Sequence, residues 1–219
     1  MANIVRIERV LISVTNKEGI AEFAKFLTDQ GVEIVSTGGT AEFLKKANIP
    51  VIEVSDYTSF PEILNGRVKT LHPKIFGGIL AQLEKKEHCE ELRKQDIKPI
   101  NMVVVNLYDF KGISEKGNIP LTKVLEEIDI GGSALLRAAA KNFPHVVVVC
   151  DPNDYPKIIE EIKTHGGVRG VTRLKLAQKV FALTSEYDSQ IAKFLDGARK
   201  MLEWSMAAAA ELHVGMKLT

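Results

Sequence analysis

Val10-Leu11-Ile12-Ser13-Val14 is the first of five short apolar runs that recur along the 219-residue chain. The other runs occupy residues 32–35, 51–54, 102–105 and 146–149. Runs of this length that are rich in Val and Ile are typical of strands buried on both faces of a parallel sheet. The five runs therefore predict such a sheet.

Amphipathic segments separate these runs. The apolar residues of segment 20–27 fall at helical spacing, and residues 41–47 predict a second, shorter helix. Alternating strands and helices predict an α/β fold with an open, mainly parallel sheet, flanking helices and right-handed crossovers. Ligands of such sheets bind at the carboxyl ends of the strands, which points to the loops at residues 15–17, 36–40 and 106–108.

The pattern changes at about Gly170, where one helix and then a second one, over residues 189–212, are predicted. Because no linker interrupts the chain, we predict one domain, residues 1–195, with a helical extension, residues 196–219, packed on it. These helices carry a larger apolar stripe than a short pair of terminal helices needs to bury against one small sheet. The excess predicts a homodimer. The stripe consists of Phe181, Leu183, Phe194, Leu202 and Trp204.

Composition excludes several function classes. The 29 Lys and Arg residues against 28 Asp and Glu residues create no basic field, so we expect neither nucleic acid nor a membrane as a partner. Cys89 and Cys150 lack metal-ligand spacing and suggest no disulfide framework, so no metal is expected. With no signal peptide and no long apolar run, the sequence predicts a soluble, cytoplasmic protein.

Gly66-Arg67-Val68-Lys69-Thr70-Leu71-His72-Pro73 concentrates two cations, a hydroxyl and an imidazole between a glycine and a proline. In an extended segment, Arg67 and Lys69 would share one side while Val68 points into the core. No acid within the stretch can pair with the two cations, so we expect them to clamp a ligand phosphate. The alternative is a basic loop beside a buried His72.

Thr37-Gly38-Gly39-Thr40 follows one predicted strand and begins a predicted helix. Glycines let the backbone approach a ligand, and helix-start amides with threonine hydroxyls bind phosphate oxygens. Lys17, in the loop after the first strand, would add a cation at the same edge of the sheet. The alternative is a tight turn with a helix N-cap.

Asp129-Ile130-Gly131-Gly132 combines a carboxylate with exposed amides at a helix start, an arrangement that can stabilise an oxyanion. Alternatively, Asp129 caps the helix and the glycines allow close packing. Lys141 ends this helix, where a lysine can also stabilise the helix C-terminus. Asn106 and Tyr108 mark the point where a core strand gives way to the ligand edge.

Seven segments, in this order, resemble inosine monophosphate (IMP) cyclohydrolase, the N-terminal domain of a bifunctional purine-biosynthesis enzyme, over about residues 8–195. They are Ile12-Ser13-Val14-Thr15-Asn16-Lys17, Ser36-Thr37-Gly38-Gly39-Thr40, Ser55-Asp56-Tyr57-Thr58-Ser59-Phe60-Pro61-Glu62, residues 66–73, Asn106-Leu107-Tyr108, Asp129-Ile130-Gly131-Gly132 and Arg137-Ala138-Ala139-Ala140-Lys141-Asn142. The resemblance implies a methylglyoxal-synthase-like fold. It also implies a hydrolase that closes the purine ring of 5-formamidoimidazole-4-carboxamide ribonucleotide, releasing water and IMP, without a metal or organic cofactor.

The resemblance further implies roles for individual residues. The implied substrate-binding residues are Thr15, Asn16, Lys17, Thr37, Gly38, Gly39, Thr40, Arg67, Val68, Thr70, Asn106, Leu107, Ile130 and Gly131. The implied catalytic residues are Lys69, Tyr108, Asp129 and Lys141. Lys141 matches the proton donor or acceptor, the amides of Ile130 and Gly131 match the oxyanion donors, and Asn106 is expected to position the base.

The sequence departs from the family pattern at Asp109, where the family has Pro, and at Phe143 and Leu183, where it has His. These 219 residues also lack the transformylase part and its Arg-Tyr-Gly-Glu-Asn-Pro-His-Gln signature. The expected activity of these residues is therefore the cyclohydrolase alone. Two alternatives for the origin of the chain remain open, a stand-alone cyclohydrolase with a separate transformylase as its partner, and a longer protein cut near the domain boundary. One alternative is a non-catalytic nucleotide- or phosphate-sensing module of the same fold. Methylglyoxal synthase itself is another, for which a carboxylate base near the phosphate turn is expected.

Overall fold

The structure is a computed structural model that describes residues 4–108, 110, 112 and 119–215. Its strands are β1 Ile4–Val5, β2 Arg9–Ser13, β3 Glu33–Ser36, β4 Ile52–Glu53, β5 Met102–Val105, β6 Val147–Val149 and β7 Val168–Arg169. Strands β2 to β6 form one parallel sheet in the order β4-β3-β2-β5-β6. This sheet, with helices around it, confirms the predicted α/β fold class.

Helices follow most of the strands. They are α1 Ile20–Asp29, α2 Gly38–Lys46, α3 Val54–Thr58, α4 Pro73–Leu80, α5 Lys86–Lys94, α6 Leu121–Glu126, α7 Ile130–Lys141, α8 Tyr155–His165 and α9 Gly170–Gly215. None of these described helices is both long enough and apolar enough to cross a membrane.

Two expected elements differ in the structure. The run at residues 51–54 contributes a strand of only two residues, Ile52–Glu53, because α3 already begins at Val54. The two helices predicted after Gly170 are one continuous helix, α9. Segment 183–189 contains neither Gly nor Pro, so no residue there provides a stop signal.

The chain leaves the centre of the sheet in two directions. From β2 it continues to β3 and β4 on one side, and it then returns to β5 and β6 on the other side. The carboxyl ends of β2 and β5 therefore meet at a topological switch point, which is the usual ligand position in such sheets. All four residues of β5 are buried, so the core lies directly beneath this point.

The chain divides into two compact units, Met1–Leu107 with Asp129–Leu183 and Tyr108–Ile128 with Thr184–Thr219. The first unit contains the parallel sheet. In the second unit, the Phe110 ring centroid lies 6.0 Å from that of Tyr187 and 5.7 Å from that of Phe194. The helical extension predicted from residue 196 begins inside α9, within this second unit.

Candidate active site

Asn106 joins the carboxyl ends of the two central strands, β2 and β5. Its Oδ1 accepts hydrogen bonds from the Thr15 amide (2.6 Å), the Thr15 hydroxyl (2.8 Å) and the Asn16 amide (3.1 Å). Its Nδ2 donates to the Asn16 carbonyl (3.0 Å). The structure therefore brings Thr15, Asn16 and Asn106 together at the switch point.

Lys17 connects this loop to the start of α2. Its Nζ donates to the Val14 carbonyl and, over 3.0 Å, to the Thr40 hydroxyl. That hydroxyl also donates to the Val14 carbonyl (2.9 Å) and accepts from the Val14 amide (3.1 Å). Burial lowers the pKa of Lys17. The hydroxyl of Thr40 is thus engaged with protein groups and links β2 to α2.

Thr37 and Gly38 form the turn that begins α2. Thr37 occupies the N-cap position without a side-chain cap, and its hydroxyl lies 3.4 Å from the Ser13 hydroxyl. Gly38 has a φ of 47°, a conformation that favours glycine. The first turn of α2 therefore presents amides that no side chain caps, which is an anion-binding arrangement.

Residues 63–68 form a tight turn instead of the expected extended segment. Ile63 and Val68 pair as an isolated antiparallel bridge, while Leu64 and Asn65 have φ values of 55° and 53°. The expected alternation of the two cations is wrong because the chain reverses direction between the bridged residues. Val68 is half-buried and does not belong to the core, and Arg67 is exposed.

Lys69 pairs with an acid that lies outside its own sequence stretch. Its Nζ is 3.2 Å from Glu62 Oε2, so Lys69 has an acidic partner in the protein, and its contact with a ligand anion stays a prediction. A Cβ built on Gly66 would lie 2.7 Å from Lys69 Cε, so the pair leaves little room for a side chain at that position. A Cβ built on Gly38 would lie 3.4 Å from Lys69 Nζ, so the ammonium lies beside the start of α2.

Thr70 and Asp129 lie at the start of α7. Thr70 is buried, and a Cβ built on Gly131 would lie 3.1 Å from its hydroxyl oxygen. Asp129 caps α7, with Oδ1 accepting from the Gly132 amide at 2.7 Å, so the capping alternative is observed. Burial raises the pKa of Asp129, and the Gly132 hydrogen bond partly offsets this. Ile130 is exposed beside them.

Two consecutive residues therefore contact two helix starts. Lys69 lies beside the Gly38 turn of α2, and Thr70 lies beside the Gly131 turn of α7. α2 directly follows β3 and therefore begins at the carboxyl edge of the sheet, and the consecutive residues Lys69 and Thr70 place the start of α7 beside it. The arrangement offers two separate groups of amides, one cation and one carboxylate along a single edge.

Lys141 lies elsewhere. It is the exposed last residue of α7, and the chain passes from it through Asn142 to the amino end of β6. Twelve residues of helix separate it from Asp129, or about 18 Å along the axis. The structure thus brings Lys69 and Asp129 to the carboxyl edge but leaves Lys141 at the amino edge of the sheet.

The remaining predicted residues have varied positions. Leu107 is half-buried against the core, and Tyr108, which begins the second unit, is 46% exposed. Phe143 and Leu183, which replace the family histidines, are both half-buried against the core. Asp109 lies outside the described residues.

Sequence reasoning missed Glu62, which pairs with Lys69, and Ser133, whose buried Oγ has no hydrogen-bond partner among the described residues. Glu62 stands seven positions before Lys69, and only the reversal at residues 63–68 brings the two together. Within the described ranges, no three His, Cys, Asp or Glu side chains cluster in a way that could hold a metal ion.

Comparison with known proteins identifies the family of the chain. Residues 19–134 match the model of the MGS-like domain, and residues 139–218 match that of the AICARFT/IMPCHase bienzyme. The chain is also similar to the crystal structure of ForH, with 32% identity, a TM-score of 0.74, and coverage of 86% of this chain and 99% of ForH.

Relatives named bifunctional purine biosynthesis protein PurH show higher identity. The protein from Clostridium acetobutylicum is 56% identical over 86% of this chain, and that from Thermoanaerobacter sp. is 52% identical over 86%. The chain spans only 38% and 37% of these relatives, respectively. The comparisons do not support the non-catalytic alternative. The chain belongs to the MGS-like domain family, and its C-terminal part matches the AICARFT/IMPCHase bienzyme model.

Proposed function

We propose that this chain is an IMP cyclohydrolase that closes the ring of 5-formamidoimidazole-4-carboxamide ribonucleotide. The observation that carries the proposal is the position of Lys69 and Thr70, which place a cation at the start of α2 and a hydroxyl at the start of α7. A ribonucleotide needs one anion-binding end for its phosphate and one polar end for the reacting groups. The two helix starts provide these two ends.

The phosphate end is proposed to lie at the start of α2. Uncapped amides, the Lys17 ammonium and the Thr37 hydroxyl are suitable donors to phosphate oxygens. The Thr40 hydroxyl is already engaged with Val14 and Lys17, so we assign it to holding the site together. Lys69 would exchange Glu62 for the more strongly charged ligand.

The reacting end is proposed to lie at the start of α7. The carboxamide nitrogen attacks the formyl carbon, the new C–N bond forms, and the formyl oxygen finally leaves as water. The amides of Ile130 and Gly131 would stabilise negative charge that develops on an oxygen. Asp129, whose pKa burial raises, would accept a proton from the attacking nitrogen.

The catalytic roles of Tyr108 and Lys141 rest on the resemblance alone. Tyr108 is proposed to act at the reacting end on the strength of the resemblance. The proton-transfer role of Lys141 also rests on the resemblance, and its position at the amino edge argues against direct action within one chain. A Lys141→Ala variant tests this role.

An assay of the purified chain tests the function. The chain is mixed with the formylated ribonucleotide, and IMP is followed by chromatography. We expect IMP formation well above the uncatalysed rate, and no formyl transfer from a folate donor to the unformylated ribonucleotide. If the folded chain produced no IMP above the uncatalysed rate, the proposal would be wrong.

We further propose a homodimer that acts in the cytoplasm beside a separate transformylase. In the second unit, the distal part of α9 exposes Met201, Leu202 and Trp204, the last of which is 75% exposed. Burying such side chains in an interface between two copies would be favourable. Sedimentation equilibrium over micromolar concentrations checks the dimer, and a single 24.2 kDa species throughout would contradict it.

A further inference from the structure

Asn106 has little hydrogen-bonding capacity left for a ligand. A carbonyl oxygen has two lone pairs, and Asn106 Oδ1 already accepts from three donors, all on Thr15 and Asn16. One of its two Nδ2 hydrogens is used by the Asn16 carbonyl. The residue is only 9% exposed. Its amide therefore serves mainly the loop after β2.

A second asparagine makes similar contacts at the opposite end of the same strand. Asn101 immediately precedes β5, and its Oδ1 accepts from the Glu8 amide (3.1 Å) and the Arg9 amide (3.2 Å). Asn106 immediately follows β5. The two side chains thus tie β5 to the two ends of β2, one at each edge of the sheet.

The two ties differ in what lies beyond them. Asn101 holds the entry into β2. Asn106 holds Thr15 and Asn16, and the next residue, Lys17, reaches the Thr40 hydroxyl at the start of α2. A shift of the Thr15–Asn16 backbone would move the Lys17 ammonium away from the phosphate end.

We infer that Asn106 is a positioning residue that holds the Thr15–Lys17 loop for phosphate binding, and that it does not recognise the base. This inference rests on the proposed function, because it assigns the phosphate end to that loop. It changes the role expected for Asn106 from the sequence, which was to position the base.

The two roles predict different ligand dependence. Asn106→Ala is compared with Asn101→Ala by calorimetry, using IMP and ribose 5-phosphate, which carries the phosphate without a base. We expect Asn106→Ala to weaken binding of both ligands by the same factor, about 10-fold. Asn101→Ala should bind both ligands as tightly as the wild type does, although its melting temperature should fall about as much as that of Asn106→Ala. The inference would be wrong if Asn106→Ala weakened the binding of IMP but not of ribose 5-phosphate. It would also be wrong if Asn101→Ala weakened the binding of both ligands as much as Asn106→Ala does.

Hydrogen exchange without ligand separates this inference from the proposed function. The amides of Thr15, Asn16 and Lys17 should exchange faster in Asn106→Ala than in Asn101→Ala. Unchanged exchange would overturn the positioning role whether or not the wild type binds nucleotide. If the wild type bound neither ligand, the proposed function would fail while exchange still decided what Asn106 does. Should Asn106→Ala not fold, Asn106→Ser serves in both experiments, with the same direction expected.

Discussion

Arg9 at the amino edge of the sheet and Lys69 at the carboxyl edge each pair with a glutamate, but in different surroundings. Arg9 pairs with Glu33, donates to the Pro99 carbonyl at 2.9 Å and lies 6.0 Å from the ring centroid of Tyr57. Its side chain is only 12% exposed. Several groups thus hold this guanidinium, so it stabilises the fold and is not free to bind a ligand.

Lys69 has a looser environment. Its side chain is 35% exposed and that of its partner Glu62 is 56% exposed. An ion pair this exposed contributes about 0–1 kcal/mol, so a phosphate can replace the carboxylate at little cost. The cation at the amino edge, Arg9, therefore stabilises the fold, whereas the cation at the carboxyl edge, Lys69, can exchange its carboxylate partner for a ligand.

The largest expected effect compares two lysines, one at each edge. Lys69→Ala should lower kcat/KM about 100-fold in a folded protein, because it removes the cation proposed to bind the ligand phosphate. Lys141→Ala, at the amino edge, should lower kcat/KM less than about 10-fold, since the residue lies far from Asp129 along α7. Steady-state kinetics with circular dichroism as a folding control measure both.

Either result for Lys141 is informative. A loss as large as that of Lys69→Ala would contradict the comparison of the two edges. It would support the proton-transfer role implied by the resemblance, and Lys141 would then have to reach the substrate from outside its own chain's carboxyl edge.

The next prediction separates two threonines of the same turn. Thr40→Val leaves the Val14 amide and carbonyl without their hydroxyl partner, so it should lower the free energy of unfolding by about 1–3 kcal/mol. Thr37→Val should leave stability unchanged and raise KM several-fold with kcat nearly preserved, because a phosphate donor acts in ground and transition state alike. Urea denaturation and kinetics check the pair. If both variants lost the same stability, Thr37 would also have a structural role, and the proposed difference between the two threonines would be wrong.

A smaller effect distinguishes two glycines with positive φ. Gly38 (φ 47°) begins α2 at the carboxyl edge, and Gly31 (φ 79°) precedes β3 at the amino edge. Alanine at either site should cost about 1 kcal/mol of stability through backbone strain. Only Gly38→Ala should also weaken nucleotide binding, because its new methyl group meets the Lys69 ammonium. Equal binding by both variants would exclude the Gly38 turn from the site.

The sequence predicted the sheet well because strands buried on both faces show as unbroken apolar runs, as Met102–Val105 does. It did not predict β1 and β7, since strands of two residues have no periodicity. It also did not predict the Lys69–Glu62 pair, which depends on Leu64 and Asn65 adopting positive φ although neither is glycine. Pairing across such a turn is a tertiary effect that residue spacing does not reveal.

The position of Lys141, in contrast, could have been derived from topology. A helix that lies between two parallel strands must run back from the carboxyl edge to the amino edge. Because α7 is the last helix before β6 and has to lead the chain to the amino end of that strand, its last residue, Lys141, is expected near the amino edge, while Asp129 lies at the other end of the helix. The resemblance indicated that Asp129 and Lys141 are catalytic residues, but the topology places them apart in space.

The last prediction concerns two carboxylates with opposite pKa shifts. Glu161, on α8, is 2% exposed. Burial alone would raise its pKa, but hydrogen bonds from Arg169 and Thr172 outweigh this and lower it to about 2. Burial raises the pKa of Asp129. A lowered pKa means that Glu161 stabilises the fold above its unfolded pKa of about 4.5, and that this contribution is lost as the pH falls from there toward 2.

Glu161→Gln should therefore remove about 1–2 kcal/mol of stability at pH 7, after allowance for solvent screening, and much less near pH 2. Asp129→Asn should show the opposite trend, because a raised pKa costs stability once the carboxyl ionises and asparagine still caps a helix. Its stability at pH 7 should equal or slightly exceed that of the wild type, while turnover falls. Urea denaturation across pH 2.5–7 measures both variants, and a large loss of stability in Asp129→Asn would show that Asp129 serves the fold more than the reaction.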